Sequence, residues 1–237
     1  TNTSLLNSNE KEGDFLQAGR QLAGHGRRGR VWSHEDVAFA GSWVIHEHTL
    51  TPNPGLLQLQ GGLALFEAIA ALTESTDVQV LKWPNDVLIE KGGELRKVGG
   101  ILVESLSQGK KTRVILGIGC NIASHEFKKD GYSIATLQEL DSKISLLDFQ
   151  RVIQAAVASW FERKTGLLDV KVKSITSHYT SIFSDGIKKL GAPFYRTEGM
   201  IFEGVESDGR ITLRDQMNTV HIIGDGEDIL WSDYEHN

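Results

Sequence analysis

Apolar positions recur along the chain with two different periods, and these divide it into elements. Leu59, Leu63, Phe66 and Ile69/Ala70 fall three and four apart after the Thr51–Gly55 turn, which predicts an amphipathic helix. The runs Val78–Lys82, Val87–Glu90, Val98–Glu104 and Arg113–Ile118 are short and rich in Val, Leu and Ile. Pro84-Asn85 and Lys91-Gly92-Gly93 punctuate them, so they read as strands. Trp43–Thr49 has strand composition, and residues 1–10 read as a short helix or a turn. Ser145 and Asp148 form a capping box ahead of Phe149, Val152, Ile153, Val157, Trp160 and Phe161, a second helix. A shorter helix is expected over about 172–184.

After Gly186 the runs become shorter: Thr197–Phe202, Arg210–Leu213 and Thr219–Ile223, separated by Ser207-Asp208-Gly209 and Gly224-Asp225-Gly226. Short strands joined by Asp-Gly turns predict a small β-barrel or sandwich of about 50 residues. The expected fold class is α+β, with a mixed or antiparallel sheet and packed helices over 1–185 and a β-rich unit over 186–237. Internal repeats and a helix–turn–helix unit are not apparent in the sequence.

Composition narrows the class. The chain has 237 residues, 40% of them hydrophobic and 24% charged, which is ordinary for a globular protein and excludes wholesale disorder. That length suits one large domain with a small companion. No apolar run approaches the ~18 residues of a membrane span, and no signal peptide opens the chain, so the expectation is a cytoplasmic protein without membrane contact. Cys120 is the only cysteine, which rules out an internal disulfide and a cysteine-based zinc site. The net charge of −6 disfavours dedicated nucleic-acid binding.

Positive charge is nevertheless concentrated. Arg20, Arg27, Arg28 and Arg30 crowd around Gly19, Gly24, Gly26 and Gly29. In Gly24-His25-Gly26-Arg27-Arg28-Gly29-Arg30-Val31-Trp32, glycines allow backbone N–H groups to approach an anion. Arginines add permanently charged forks for carboxylate or phosphate, and Trp32 offers a ring on which a base can stack. A solvated basic loop would have the same composition. Lys82-Trp83-Pro84-Asn85-Asp86 and Arg96-Lys97-Val98-Gly99-Gly100-Ile101-Leu102-Val103-Glu104 follow, with Lys97 at the mouth of an apolar strand and glycines that admit a ligand close to the backbone. Read alone, both are strand ends with turn residues, as is Gly117-Ile118-Gly119-Cys120-Asn121. His46 and His48 of His46-Glu47-His48 would share a strand face, but the sequence places no third ligand and no metal site is assigned.

Together and in this order, these stretches resemble the biotin protein ligases. The family's loop typically reads G-R-G-R-R-G-R-x-W, followed by K-W-P-N-D, K-[LV]-[AG]-G-I-L-[VC]-E and G-[IV]-G-x-N. The matching segments here are Gly24–Trp32, Lys82–Asp86, Lys97–Glu104 and Gly117–Asn121. Thr1-Asn2 followed by Leu5-Leu6 is similar to the family's S-T-N…L-L opening. The match covers about 1–122; the rest agrees in layout without diagnostic residues.

The resemblance implies a biotin/lipoate ligase-type catalytic domain with a small SH3-like C-terminal domain, of the type without a DNA-binding domain. It implies that biotin and MgATP give biotinyl-5′-AMP, which then acylates one lysine of a biotin carboxyl carrier protein. A homodimer is compatible with it. By the same resemblance Lys97, Arg27 and Asp86 are catalytic, with Asp86 helping to deprotonate the incoming lysine. Thr1, Gln21, Gly24, His25, Arg27, Lys97, Gly99 and Gly100 lie on the biotin side. Arg28, Arg30, Trp32, Lys82, Asn85 and Asn121 lie on the nucleotide side. Which residue contacts Mg2+ is left open.

The sequence departs from the family's pattern in specific places. His25 replaces an arginine, and Ser33–Ser42 replaces an S-P-x-G-x-x-L segment. The chain opens after the expected first strand and its serine. The alternatives are a lipoate-type ligase, whose usual loop is R-R-x-x-G-G-G, and a non-catalytic nucleotide-binding module. Lys82–Asp86 favours biotin over the first, and the acidic total and the second lysine-bearing strand argue against the second.

Overall fold

Short hairpins between consecutive strands determine the topology of the sheet. In the computed structural model, Asp86–Lys91 (β6) turns into Glu94–Gln108 (β7) through Gly92 and Gly93, both at positive φ (66° and 86°). That pair of conformations makes a type I′ hairpin, whose twist matches the strands it joins. Val78–Lys82 (β5) precedes β6, and Lys111–Ala123 (β8) follows β7. Phe15–Gln17 (β1) and Val37–His48 (β4) complete a six-stranded sheet in the order β1-β4-β8-β7-β6-β5. Every pairing in it is antiparallel, so the sheet is not mixed. The structure describes residues 1–21, 23–29, 31–32, 37–48, 53–73, 78–124, 134–161, 168–190 and 200–224.

After a short first helix, Asn2–Leu6 (α1), helix α2, Pro54–Ala70, crosses one face of the sheet. Asn53 caps it, accepting from Gly55 N at 2.9 Å, and Pro54 takes the first turn, where no amide is needed. The sequence predicts an amphipathic helix here, but α2 is buried nearly all round, including Leu56, Leu59, Gly61, Gly62, Leu63, Leu65, Ala68 and Ile69. The cause is tertiary: the sheet covers one side, and α3 (Leu146–Phe161) and α4 (Leu168–Leu190) cover others. α3 opens with the predicted capping box, Asp148 N donating to Ser145 Oγ and Ser145 N to Asp148 Oδ2. It buries Phe149, Ile153 and Val157, one residue per turn. α4 is longer than the sequence indicates: it runs on past Gly186, a residue that reads as a stop, to Leu190. It buries Ile175, Tyr179 and Phe183, and burial pushes the Tyr179 phenol well up, with the charge of Asp86 adding to it.

Ile201–Val205 (β9), Ile211–Arg214 (β10) and Val220–Ile223 (β11) form a separate antiparallel sheet with β10 in the middle. Phe202 meets Phe183 of α4 edge to face, 4.7 Å between centroids. The predicted strand residues 197–199 lie outside the described residues. The Trp83 indole donates to Gly209 O at 3.0 Å, joining this small sheet to the large one. No helix is long and apolar enough to cross a membrane among the described residues.

Candidate active site

Side chains alternate along a strand, so each face of the β7/β8 pair has its own set. Ile101, Leu116 and Ile118 point to the core, where Gly61 of α2 lies against Leu116 and Ile101. The opposite face carries Gly100, Leu102 and Glu104 on β7, paired with Gly119, Gly117 and Ile115 on β8. This second face is the floor of the site. Its glycines are required by what sits on them: a Cβ on Gly119 would lie 2.6 Å from the Trp32 ring, and one on Gly117 would lie 2.4 Å from Asn2 Oδ1. The Gly117-Ile118-Gly119 motif is therefore a strand whose outward positions must be empty.

The glycine-rich loop folds back as a hairpin. Gly24–His25 (β2) pairs with Val31–Trp32 (β3), joined by a 3-10 turn at Arg27–Gly29. It puts Trp32 over Gly119, with Lys97 Nζ 5.2 Å from the ring centroid, a cation–π contact. Trp32 Nε1 is buried and has no hydrogen-bond partner among the described residues.

At this end, groups from three places in the sequence converge. Lys97 Nζ donates to Asp86 Oδ1 at 2.6 Å, Asn85 Nδ2 donates to the same oxygen at 3.0 Å, and Arg27 Nη1 donates to Asn85 Oδ1 at 3.4 Å. A register shift between Val87 and Leu88 lets Asp86 pair with Gly100 while Leu88 pairs with Lys97. Gly100 leaves space for the Lys97–Asp86 pair: a Cβ there would lie 3.0 Å from Lys97 Nζ and 3.1 Å from Asp86 Oδ1, and both side chains would have to give by a few tenths of an ångström. Gly99 faces the core instead, against Leu65. Lys82, largely buried on β5, pairs in register with Asp86. Asn121 gives its amide to Lys97 O (3.3 Å) and Ala135 O (3.2 Å), bracing the strand that carries Lys97.

Two and four residues further along β7 lies a second polar group. Gln21 Nε2 donates to Thr1 Oγ1 at 3.1 Å, and Ser42 Oγ lies 2.6 Å from both Thr1 Oγ1 and Asn2 Oδ1. Asn2 Nδ2 donates to Glu104 Oε2 (2.8 Å) and Leu102 O (3.3 Å), and His25 Nε2 faces Glu104 Oε1 at 3.4 Å. Gly24 lies between the two groups, since a Cβ on it would meet Trp32 O at 2.6 Å and Gln21 Oε1 at 2.7 Å.

The structure thus brings Arg27, Asn85, Asp86, Lys97, Gly100 and Trp32 together at one end, and Thr1, Gln21 and His25 at the other. The Arg28 side chain and Arg30 lie outside the described residues. Sequence reasoning missed Ser42, Asn2 and Glu104 as members of the polar network. Ser42, fully buried between apolar strand residues, was the available signal. His46 joins no cluster of three or more potential metal ligands among the described residues, and the His48 side chain lies outside them. Cys120 is buried on the core face, where burial pushes its thiol well up and makes it inert.

The chain is similar to known proteins. The model of the biotin/lipoate A/B protein ligase family matches residues 1–121. The chain is 37% identical over 110 residues to the biotin–[acetyl-CoA-carboxylase] ligase of Paracoccus denitrificans, covering 46% of this chain and 44% of that protein. It is 30% identical over 195 residues to the ligase of the same name from Mycobacterium tuberculosis, covering 74% of this chain and 68% of that one. In structure it is similar to the biotin protein ligase from Aquifex aeolicus in complex with biotin and ATP, with TM-score 0.74, 25% identity, and 98% and 95% of the two chains covered. Against the Paracoccus protein and the Bacillus subtilis ligase/repressor, the matched stretch spans only 44% and 40% of the relative's length.

Proposed function

Because the chain belongs to the biotin/lipoate A/B protein ligase family, we propose that it activates biotin with ATP and transfers the biotinyl group to a lysine of a biotin carboxyl carrier protein. The observation that carries this reading is the convergence of Lys97, Asp86, Asn85 and Arg27 beside Trp32 on a glycine floor. In the first step a biotin carboxylate oxygen attacks the α-phosphorus, the α–β phosphoanhydride bond breaks, and pyrophosphate leaves. Two anions meet there, so Lys97 and Arg27 screen them and stabilise the charge that develops. In the second step the acceptor lysine, as a free amine, attacks the anhydride carbonyl carbon and AMP leaves. Asp86, a carboxylate 2.6 Å from Lys97, is the group that takes that amine's proton.

Thr1, Gln21, Gly24 and His25 form the biotin side in this reading; Gly100, expected there too, lies beneath Lys97 where the two sides meet, and Gly99 turns to the core behind it. Trp32, Arg28, Arg30, Lys82, Asn85 and Asn121 form the nucleotide side. Magnesium binds through one or two carboxylates plus substrate phosphates, and the Asp86 carboxylate is the oxygen group here that fits that role; Asn85 turns its N–H, not its oxygen, to it. Such an ion would neutralise charge on the triphosphate. The small sheet is the core of an SH3-like unit in this reading, with the catalytic unit over 1–185. The relatives named for biotin favour it over lipoate.

Biotin-dependent exchange of pyrophosphate into ATP tests the first step, and intact mass of a carrier domain incubated with biotin and MgATP tests the second. A gain of one biotinyl group is expected; exchange without biotin, or none, overturns the reading. Trp32→Ala should raise KM for ATP about tenfold and leave KM for biotin within about twofold, since stacking contributes roughly 1–3 kcal/mol per base. Equal loss of both would make Trp32 a support for the loop rather than a stacking platform.

A further inference from the structure

We infer that Glu104 is a positioning residue that latches the glycine-rich loop to the sheet over the biotin side of the site, one carboxylate oxygen for each partner. This rests on the ligase reading above. Oε2 accepts from Asn2, a residue held firmly: it is buried, it also donates to Leu102 O, it lies 2.6 Å from Ser42 Oγ, and it sits over Gly117, where no side chain fits. Oε1 faces His25, which is 41% exposed and two residues before Arg27. Glu104 therefore joins a fixed point on the sheet to the loop.

The loop needs such a latch. Its own ladder consists of two residue pairs, Gly24↔Trp32 and His25↔Val31, which is too short to be stable alone. Described side chains anchor it to the sheet at its two ends: Arg27 to Asn85 at the nucleotide end and His25 to Glu104 at the biotin end. The contact lies where this chain departs from the loop pattern of the ligases it resembles. A guanidinium at position 25 would be permanently charged and could take both carboxylate oxygens. An imidazole makes one contact, here at 3.4 Å, and has no second N–H on the same edge for the other oxygen. Arg27, the neighbouring described loop cation, is turned to Asn85. His25 is the weaker of the two possible latches, so biotinyl-adenylate should leave this protein faster than it would with arginine there.

The test is the rate at which labelled biotinyl-adenylate, formed in place from biotin and MgATP, escapes into a chase of unlabelled biotin. Glu104→Gln keeps an acceptor for Asn2 and so preserves the fold while removing the charge toward His25. E104Q and H25A should each speed escape about threefold to fivefold, the effect of a partly exposed charge pair. The double variant should be no faster than either single, because both remove one contact. H25R should slow escape below that of the parent, and should do so only when Glu104 is present. Multiplicative effects in the double variant, or slowing by H25R in the E104Q background, would overturn the latch, since a purely structural role of Glu104 through Asn2 would give that result. If E104Q melts far below the parent, the contrast of H25A with H25R decides: equal escape rates overturn the inference. Absence of biotin-dependent pyrophosphate from the parent protein would overturn the ligase reading and this inference with it. Pyrophosphate formation with unchanged escape in all variants overturns the latch alone.

Discussion

Lys97→Ala should lower both biotin-dependent pyrophosphate exchange and biotinyl transfer by about 10²–10³, because a single preorganised charge aimed at the reacting oxygens contributes on the order of 3–4 kcal/mol. The geometry makes Lys97 hard to replace. Its ammonium lies between Asp86 Oδ1 at 2.6 Å and the Trp32 ring at 5.2 Å, and its stem lies over Gly100. It is 22% exposed and Asp86 14%, so the pair is shielded without being sealed from a ligand. Lys97→Arg should not rescue, because the larger planar fork would have to fit over Gly100, where even a Cβ would lie 3.0 Å from the lysine's own terminal atoms. Removing the ammonium also leaves Asp86 with the Asn85 amide as its donor among the described residues, which costs stability. Lys97→Ala should therefore be compared with Lys97→Ala/Asp86→Asn. Stability should recover in the double variant and activity should not. Transfer near the parent rate by either variant would remove Lys97 from the chemistry.

The strands β5 to β8 were legible because each is an apolar run bounded by turn residues, and the turns at Gly92-Gly93 and Asp208-Gly209 carry their own signals. Their lengths were not. β7 runs on through Ser105–Gln108 and β8 begins at Lys111, polar residues held by hairpin register with one another and not by burial. The C-terminal end of α4 was hidden differently: Gly186 reads as a stop, yet the helix runs through it to Leu190. Around the site, Lys97, Asp86 and Arg27 stood out because their motifs are local in sequence. Asn2, Ser42 and Glu104 did not, because their hydrogen bonds connect residues 40 and 102 positions apart and no local spacing encodes them. The breadth of burial on α2 was hidden for a related reason. A helix covered on several sides by different partners loses the stripe that periodicity detects.

Trp83 was the silent member of Lys82–Asp86, and its replacement should have the largest effect on stability of any residue in that turn. The ring is 3% exposed in the main core, and its N–H reaches Gly209 O in the turn between β9 and β10. That turn is pressed against the start of α2: a Cβ on Gly55 would lie 2.1 Å from Asp208 O. Trp83→Ala should cost about 3–5 kcal/mol, the usual range for a buried tryptophan. For a chain of this size that is a fall in Tm of roughly 10 °C or more. Trp83→Phe keeps most of the ring but strands the buried Gly209 carbonyl, and should cost about 1–3 kcal/mol. The difference between the two variants separates packing from the hydrogen bond. Because Asn85 and Asp86 follow two and three residues later, in the same turn and at the start of the next strand, loosening the joint should also raise KM for ATP more than KM for biotin, whose side of the site hangs on β7 and on Asn2. A melting temperature for Trp83→Ala within about 2 °C of the parent would mean that the small sheet is held by the Phe183–Phe202 contact and its neighbours, and that the tryptophan is dispensable to the joint.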